Sequence, residues 1–417
     1  MIPLLVAGTI AALCTAYAGA AHAQPAPVRQ VTIGRNAEFR VNGKPFLPVM
    51  VWVPGEEHFA AIAEANVNTI GGYPGDDAAG MAAYAQTAWR HGFYFVAGCD
   101  AKLIAAPNLL GWFQGDEPDL ARTDRAADGS VGRTYPRATT GEMLSAYRAI
   151  RAIDTTRPVF MTLTAAFMRD DSTWDQALKE RMYPSLLQAC DVVGFDTYPI
   201  FGTGTPGRLR DVANGTAELR ALAGPHKPVY AWIETNRGSQ WMTPSKQPDV
   251  KPEHTRAEVW MALIQGARAI GYFTHKWFDP DGTANYSSFA PTAEMRSELK
   301  RLNAQLTRLA PALLADPARA DVKMRLSGDL PCHLKATRHD GSLYIFAQNT
   351  DLGEDAVKLR QFDPISPRSG RATFIVEGLR AGTRIEVVDE DRTLTTEAGG
   401  FSDGFGPLAE HVYRIRQ

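Results

Sequence analysis

From about Pro45 to Pro311 the chain alternates short apolar runs with segments whose apolar residues recur at helical spacing. The apolar runs predict strands over 46–53, 67–71, 93–98, 109–114, 159–163, 192–196, 229–233 and 269–274. Between most of them the spacing predicts helices over 78–90, 140–153, 175–190, 208–223 and 254–268, with a last long helix over 292–309. Near-continuous apolar strands are buried on both faces, as in a parallel sheet covered by helices. Eight such units is the count that closes a (β/α)8, or TIM, barrel. A doubly wound open sheet is the alternative. Only 101–106 separates the third and fourth strands, so the third helix is expected to be truncated.

Beyond Pro317 the texture changes. Strand-like stretches at 322–326, 332–338, 343–348, 372–375, 384–388 and 411–415 are separated by turns such as Asp340-Gly341 and Ala381-Gly382, with no useful helical period. This predicts a small antiparallel β-sandwich, so the fold class is α/β with a C-terminal all-β unit. Ahead of the barrel, 31–41 closed by Asn42-Gly43 reads as a hairpin that covers the barrel floor or joins the sandwich. The expected division is a leader at 1–23, the hairpin at 24–44, the barrel at 45–316 and the sandwich at 317–417. The polar stretch 123–137 is expected to be a long loop overhanging the barrel mouth.

The leader changes where the protein is expected to work. Residues 2–20 are apolar or small, and Ala21-His22-Ala23 before Gln24 has the small-x-small form of a signal-peptidase site, although the segment lacks an early Lys or Arg. A periplasmic or secreted protein with no stable membrane insertion after cleavage is expected, with an uncleaved anchor as the alternative. Cys14 follows Leu13, which does not suit a lipoprotein signal. The other cysteines, Cys99, Cys190 and Cys332, are far apart and form no CxxC unit, so neither a zinc site nor a disulfide scaffold is expected. The 417 residues are 45% hydrophobic and carry Lys+Arg 44 against Asp+Glu 46. A net charge of −2 without a long basic run argues against nucleic acid as a partner.

In a TIM barrel the reactive side chains come from the C-terminal strand ends and the loops that follow. Strand four ends Gly111-Trp112-Phe113-Gln114-Gly115-Asp116-Glu117-Pro118 and strand six Gly194-Phe195-Asp196-Thr197-Tyr198-Pro199. Strand seven ends Tyr230-Ala231-Trp232-Ile233-Glu234-Thr235 and strand eight Tyr272-Phe273-Thr274-His275-Lys276-Trp277. Acids and aromatics crowd one rim, which is what sugar chemistry needs. Gly-Asp-Glu-Pro after strand four and Trp-Ile-Glu-Thr after strand seven resemble the clan of retaining glycoside hydrolases with a (β/α)8 barrel. That clan carries its acid/base Glu after strand four and its nucleophile Glu after strand seven. The Asn-Gly-Lys-Pro-Phe run at 42–46 and the stretch from Phe401 to Ile415 are also similar to it, so the resemblance spans nearly the whole mature chain.

The resemblance implies a glycosidase cleaving β-linked oligo- or polysaccharide, with Glu117 as acid/base and Glu234 as nucleophile. Two carboxyls about 5–5.5 Å apart would give retention by double displacement. One residue departs from the pattern. The clan usually has Asn before its acid/base Glu, donating to the sugar 2-hydroxyl, whereas Asp116 when ionised can only accept. Tyr198 resembles the tyrosine that orients the nucleophile, and Trp277 the aromatic platform under the sugar; packing is the competing role for each. Asp196 is a candidate for a sugar hydroxyl or a substitute carboxylate. Trp52, Tyr73, Trp112, Trp232 and Trp241 are further aromatic candidates. Asn236, Arg237, His275 and Lys276 stand close enough in sequence to line the site, and Lys276 would favour an acidic sugar.

No cofactor or metal is called for. A metal-dependent hydrolase using Asp116, Glu117, Asp196 and His275 lacks any HxH or HExxH spacing. No glycine-rich phosphate loop precedes a helix after strand seven or eight. The main alternative is a catalytically inactive barrel that binds carbohydrate, a reading Asp116 permits. The long loops 123–137 and 235–252 hint at a partly closed pocket, suited to exo action or short oligosaccharides. Nothing in the sequence speaks to oligomeric state.

Overall fold

The computed structural model describes residues 24–125, 128–277 and 285–416; the expected leader, with Cys14, lies outside them. Eight parallel strands close into a barrel: β1 Val49–Trp52, β2 Thr69–Gly71, β3 Tyr94–Gly98, β4 Leu109–Asp116, β5 Val159–Thr164, β6 Val192–Asp196, β7 Val229–Glu234 and β8 Ala269–Phe273. Strand β8 pairs back onto β1 through Ile270↔Val49 and Tyr272↔Val51, which closes the cylinder and rules out the open sheet. Around it lie α1 Phe59–Glu64, α2 Ala78–Arg90, α3 Thr140–Ile153, α4 Gln176–Leu187, α5 Asp211–Ala223, α6 Pro252–Gln265 and α7 Ala293–Leu313.

The helix starts follow local chemistry. Asp77 accepts from the Gly80 amide at 2.6 Å to begin α2, and Thr139 with Glu142 forms a reciprocal capping box at α3. The third crossover is one 3-10 turn, Ala101–Leu103, as its short spacing requires. Inside the barrel, Tyr230 and Trp232 fill the space that neighbouring glycines leave open. A Cβ on Gly271 would meet the Trp232 ring at 2.1 Å, and one on Gly194 would meet Tyr230 at 2.1 Å.

The segment after β4 differs from expectation. Instead of a loop, Ala121–Arg125 and Val131–Pro136 pair as an antiparallel ribbon, with residues 126 and 127 outside the described ones. Thr123 and Thr134 hydroxyls meet at 3.0 Å and Tyr135 donates to Asp124 at 2.9 Å, so polar cross-strand pairs hold the ribbon without an apolar face. That is why hydrophobic patterning does not reveal it.

At the opposite end, Val31–Ile33, Phe39–Val41 and Lys44–Phe46 form a three-stranded antiparallel sheet. Its second turn uses Asn42 and Gly43, both at positive φ (51° and 80°). Phe39 stacks on Phe160 at 5.6 Å, so this sheet covers the floor of the barrel. From Asp316 onward a six-stranded and a three-stranded antiparallel sheet enclose a second core around Phe374, Phe401 and Tyr413. Three of its strands, Asp316–Pro317, Arg392–Thr395 and Gly400–Phe405, fall outside the strand-like stretches of the sequence. The sandwich packs on α6 and α7: Trp260 stacks over Phe346, and Arg256 of α6 bonds Glu298 of α7 and Glu410 of the sandwich. Cys99, Cys190 and Cys332 are unpaired. Among the described residues no helix is long and apolar enough to cross a membrane.

Candidate active site

At the C-terminal mouth of the barrel is a cavity of about 370 Å³ whose wall includes Trp52, Asp116, Glu117, Arg137, Asp196, Tyr198, Trp232, Trp241, His275, Trp277 and Tyr286. The ends of β4, β6 and β8 therefore reach it, and β7 contributes Trp232. A second chamber of about 690 Å³ adjoins it over β1–β3 and shares Trp52, Val53 and Asp116 with the first; Tyr73 is in its wall. The two chambers meet at the three shared residues.

Asp116 and Glu117 are consecutive, and consecutive strand residues normally face opposite ways. Glu117 breaks that alternation with φ of +47°, a left-handed conformation costing roughly 1–2 kcal/mol in a non-glycine residue. Both carboxyls consequently face the same cavity. The strain is held by the surroundings. The Glu117 amide still pairs with the Thr162 carbonyl at 2.9 Å. Two residues on, buried Asp119 accepts from the Thr164 amide and hydroxyl and from Tyr183 at 2.7–3.0 Å.

Electrostatics then sorts the carboxyls. Asp196 on β6 lies within hydrogen-bonding reach of Glu117. Burial first, and the charges of Glu117 and Asp116 next, push Asp196 well above the usual carboxylate range, which favours its protonated form beside Glu117. Asp116 is pushed up to about 6 by desolvation and by Glu117, with Arg137 pulling the other way. Its side chain is still 46% exposed, so water screens much of that interaction. Arg137, directly after the ribbon, donates to the Asp116 carbonyl at 2.7 Å and to Glu117 at 3.1 Å, and stands 3.6 Å from the Asp116 carboxylate. Sequence reasoning did not single it out, since it is one of four arginines between β4 and α3.

Glu234 ends β7 as expected, and its carboxylate is turned away from the cavity. It is 0% exposed and accepts from the amides of Ile200 at 2.9 Å and Phe201 at 2.6 Å. Glu258 of α6, also fully buried, stands against it, and burial raises both carboxyls above the usual carboxylate range. Glu258 is raised furthest, because burial and the charge of Glu234 act together on it while the two amides offset burial at Glu234. Glu234 thus anchors the loop after β6. Through Phe201 it supports the aromatic wall, since that ring lies 5.3 Å from Phe273 and 5.6 Å from Trp277.

The remaining candidates separate clearly. Trp232 forms the floor, its indole donating to Thr162 at 3.1 Å. Trp241 (56% exposed) and Tyr286 (57% exposed) flank Trp277 at the lip. Trp112 is a correction: it is fully buried and donates to Asp154 at 2.9 Å, because it sits too early in β4 to reach the mouth. Asn236 is buried, donating to the His275 carbonyl at 2.8 Å to tie the loops after β7 and β8 together. Arg237 faces Asp249 outside the cavity, and Lys276 is not in the wall. His275 is in the wall and 3% exposed; burial lowers it to about 4, so it is neutral, and neither ring nitrogen has a well-formed bond within the protein.

No protein-family model matches the sequence, and no curated protein matches it. Solved structures do. A glycoside hydrolase is 13% identical with TM-score 0.53, covering 93% of this chain and 97% of its own. An α-amylase from Geobacillus thermoleovorans, complexed with acarbose, is 9% identical with TM-score 0.52 over 87% of this chain and 91% of its own. A glycoside hydrolase family 5 protein from Bacteroides vulgatus is 13% identical with TM-score 0.51, covering 93% of each. At these identities the likeness is one of fold: the chain has the (β/α)8 barrel and C-terminal β-sandwich architecture of glycoside hydrolases such as these.

Proposed function

We propose that the protein is a glycosidase that hydrolyses β-linked oligo- or polysaccharide at the cavity of the barrel mouth, with Glu117 as acid/base. The observation that carries this reading is the joint presence of Asp116, Glu117 and Asp196 in one cavity walled by Trp52, Trp232, Trp241 and Trp277. Aromatic faces stack on the CH-rich faces of sugar rings. A carboxyl pair sharing a proton provides both an acid for the leaving oxygen and, afterwards, a base for water. The leader at 1–23 supports export to the periplasm or beyond, where such polymers are met.

Retention of configuration is part of the proposal. Glu234 can serve as the attacking carboxylate only if it leaves the Ile200 and Phe201 amides and turns past Tyr198 into the cavity. That enclosure favours a second reading, a barrel that binds carbohydrate without cutting it. Incubation of the mature protein with a panel of oligo- and polysaccharides, alongside Glu117→Gln, separates the two. Reducing-end release by the wild type, lost by about 100-fold or more in the variant, supports the glycosidase. Calorimetric binding of a saccharide with no product from any member of the panel refutes it and leaves the binding protein.

A further inference from the structure

On the reading of the cavity as a glycosidase site, its carboxyls pose a question of supply. Glu117 and Asp196 stand within hydrogen-bonding reach of each other in one cavity, too close to hold a sugar carbon between them. A protein nucleophile would have to stand about 5–5.5 Å from the acid, across the sugar. Asp116 is tethered next to Glu117 on the same strand, and Glu234 is occupied by two amides behind the wall. Among the described residues no other carboxylate lines this cavity. Among the described residues this leaves the attacking atom to come with the substrate.

We propose that the substrate is a 2-acetamido-2-deoxy-β-glycoside whose own amide oxygen is the nucleophile, with Asp116 accepting the amide N–H. Three further observations fit that substituent. Asp116 is an acceptor with its Arg137 contact as long as 3.6 Å, so its oxygens remain available to an N–H beside C1. The acetamido methyl needs an apolar seat, and Trp52, Trp232 and Phe273 supply one in the same cavity. His275, buried in that wall with neither ring nitrogen in a well-formed bond among the described residues, offers a neutral donor and acceptor to a ligand. Charge points the same way: the two chambers hold Asp76, Asp77, Asp100, Asp116, Glu117 and Asp196 against Arg137, which disfavours uronic or sulfated sugars and tolerates a neutral amide.

The step balances without any added reactant. The amide oxygen bonds to C1 as the bond from C1 to the leaving oxygen breaks, and the proton favoured on Asp196 passes through Glu117 to that oxygen. The resulting oxazolinium ion keeps its N–H on ionised Asp116. Water then adds to C1, returns a proton to Glu117, and the bond from C1 to the amide oxygen breaks to restore the acetamide. Two inversions retain configuration, and a 2-amide of gluco or galacto configuration reaches C1 only from the face opposite a β-linked leaving group.

The test uses the mature protein with aryl β-glycosides and short oligosaccharides, each with 2-acetamido, 2-mono-, di- and trifluoroacetamido, 2-hydroxyl or 2-fluoro at the cleaved sugar. Expected are cleavage of the acetamido compounds, a fall of about 100-fold or more across the fluorinated amides as the amide oxygen weakens, and inhibition by the matching thiazoline. Asp116→Asn should lose about 100-fold in kcat with little change in KM. Cleavage of 2-hydroxyl substrates with the 2-fluoro compound labelling a carboxylate overturns this inference and leaves the glycosidase standing. No cleavage of any compound and no thiazoline binding overturns both.

Discussion

Asp116 and Glu117 obtain a shared cavity through one unusual torsion, and the cost of that torsion is met by Asp119, whose carboxylate gathers three donors from β5 and α4. Removing it in Asp119→Ala strands those donors in a buried place, so a loss of about 3 kcal/mol in denaturant unfolding is expected, together with a drop in activity as Glu117 relaxes. Asp116 sets an expectation for pH. Its native value near 6 means that below about pH 6 it gains a proton and can no longer serve as a pure acceptor, so kcat/KM should fall on the acid side. In Asp116→Asn that limb should disappear from the pH–rate profile; its persistence would assign the limb to another group. At this scale Gly115-Asp116-Glu117-Pro118 was legible as a strand-end acid motif. The left-handed Glu117 and the partner Arg137 were not, because neither backbone torsion nor a contact across 20 residues leaves a local pattern.

The loop after β6 is held by a residue of β7. Glu234 gives its oxygens to the amides of Ile200 and Phe201, and the Phe201 ring carries the wall beneath Trp277. Glu234→Ala should therefore cost about 2–3 kcal/mol in stability, while Glu234→Gln, which keeps an acceptor oxygen, recovers most of it. The paired Glu258 makes this junction sensitive to pH. Its native pKa lies above the unfolded value, so the folded protein binds the extra proton and stability falls as pH rises from the unfolded value through the native one. Glu258→Gln removes that slope, and its melting temperature relative to wild type should climb between pH 5 and 9. The apolar strands and amphipathic helices were legible because burial writes a period into them; α2 and α3 lie where their spacing puts them. The polar ribbon after β4 and three edge segments of the sandwich were not, since cross-strand hydroxyls and turns write none.

Across the whole molecule, α6 is buried on nearly every side because it is clamped between the barrel and the sandwich. Trp260 stacked on Phe346, Gln348 donating to the Ala257 carbonyl, and Arg256 shared by Glu298 and Glu410 make the sandwich a support for the barrel wall that carries β7 and its loop. Trp260→Ala should destabilise by about 3–5 kcal/mol. The floor sheet and the sandwich leave only the C-terminal mouth open, and there the cleft, its aromatic lip and its three carboxyls coincide. The most direct test of that coincidence is the leaving-group dependence of Glu117→Ala with added azide. If Glu117 delivers the proton, the variant loses about 100-fold or more on poor leaving groups, keeps substantial rate on activated aryl glycosides, and forms a glycosyl azide of retained configuration. Equal loss on both kinds of leaving group, or full activity on both, would contradict Glu117 as the acid and with it the account of this cavity.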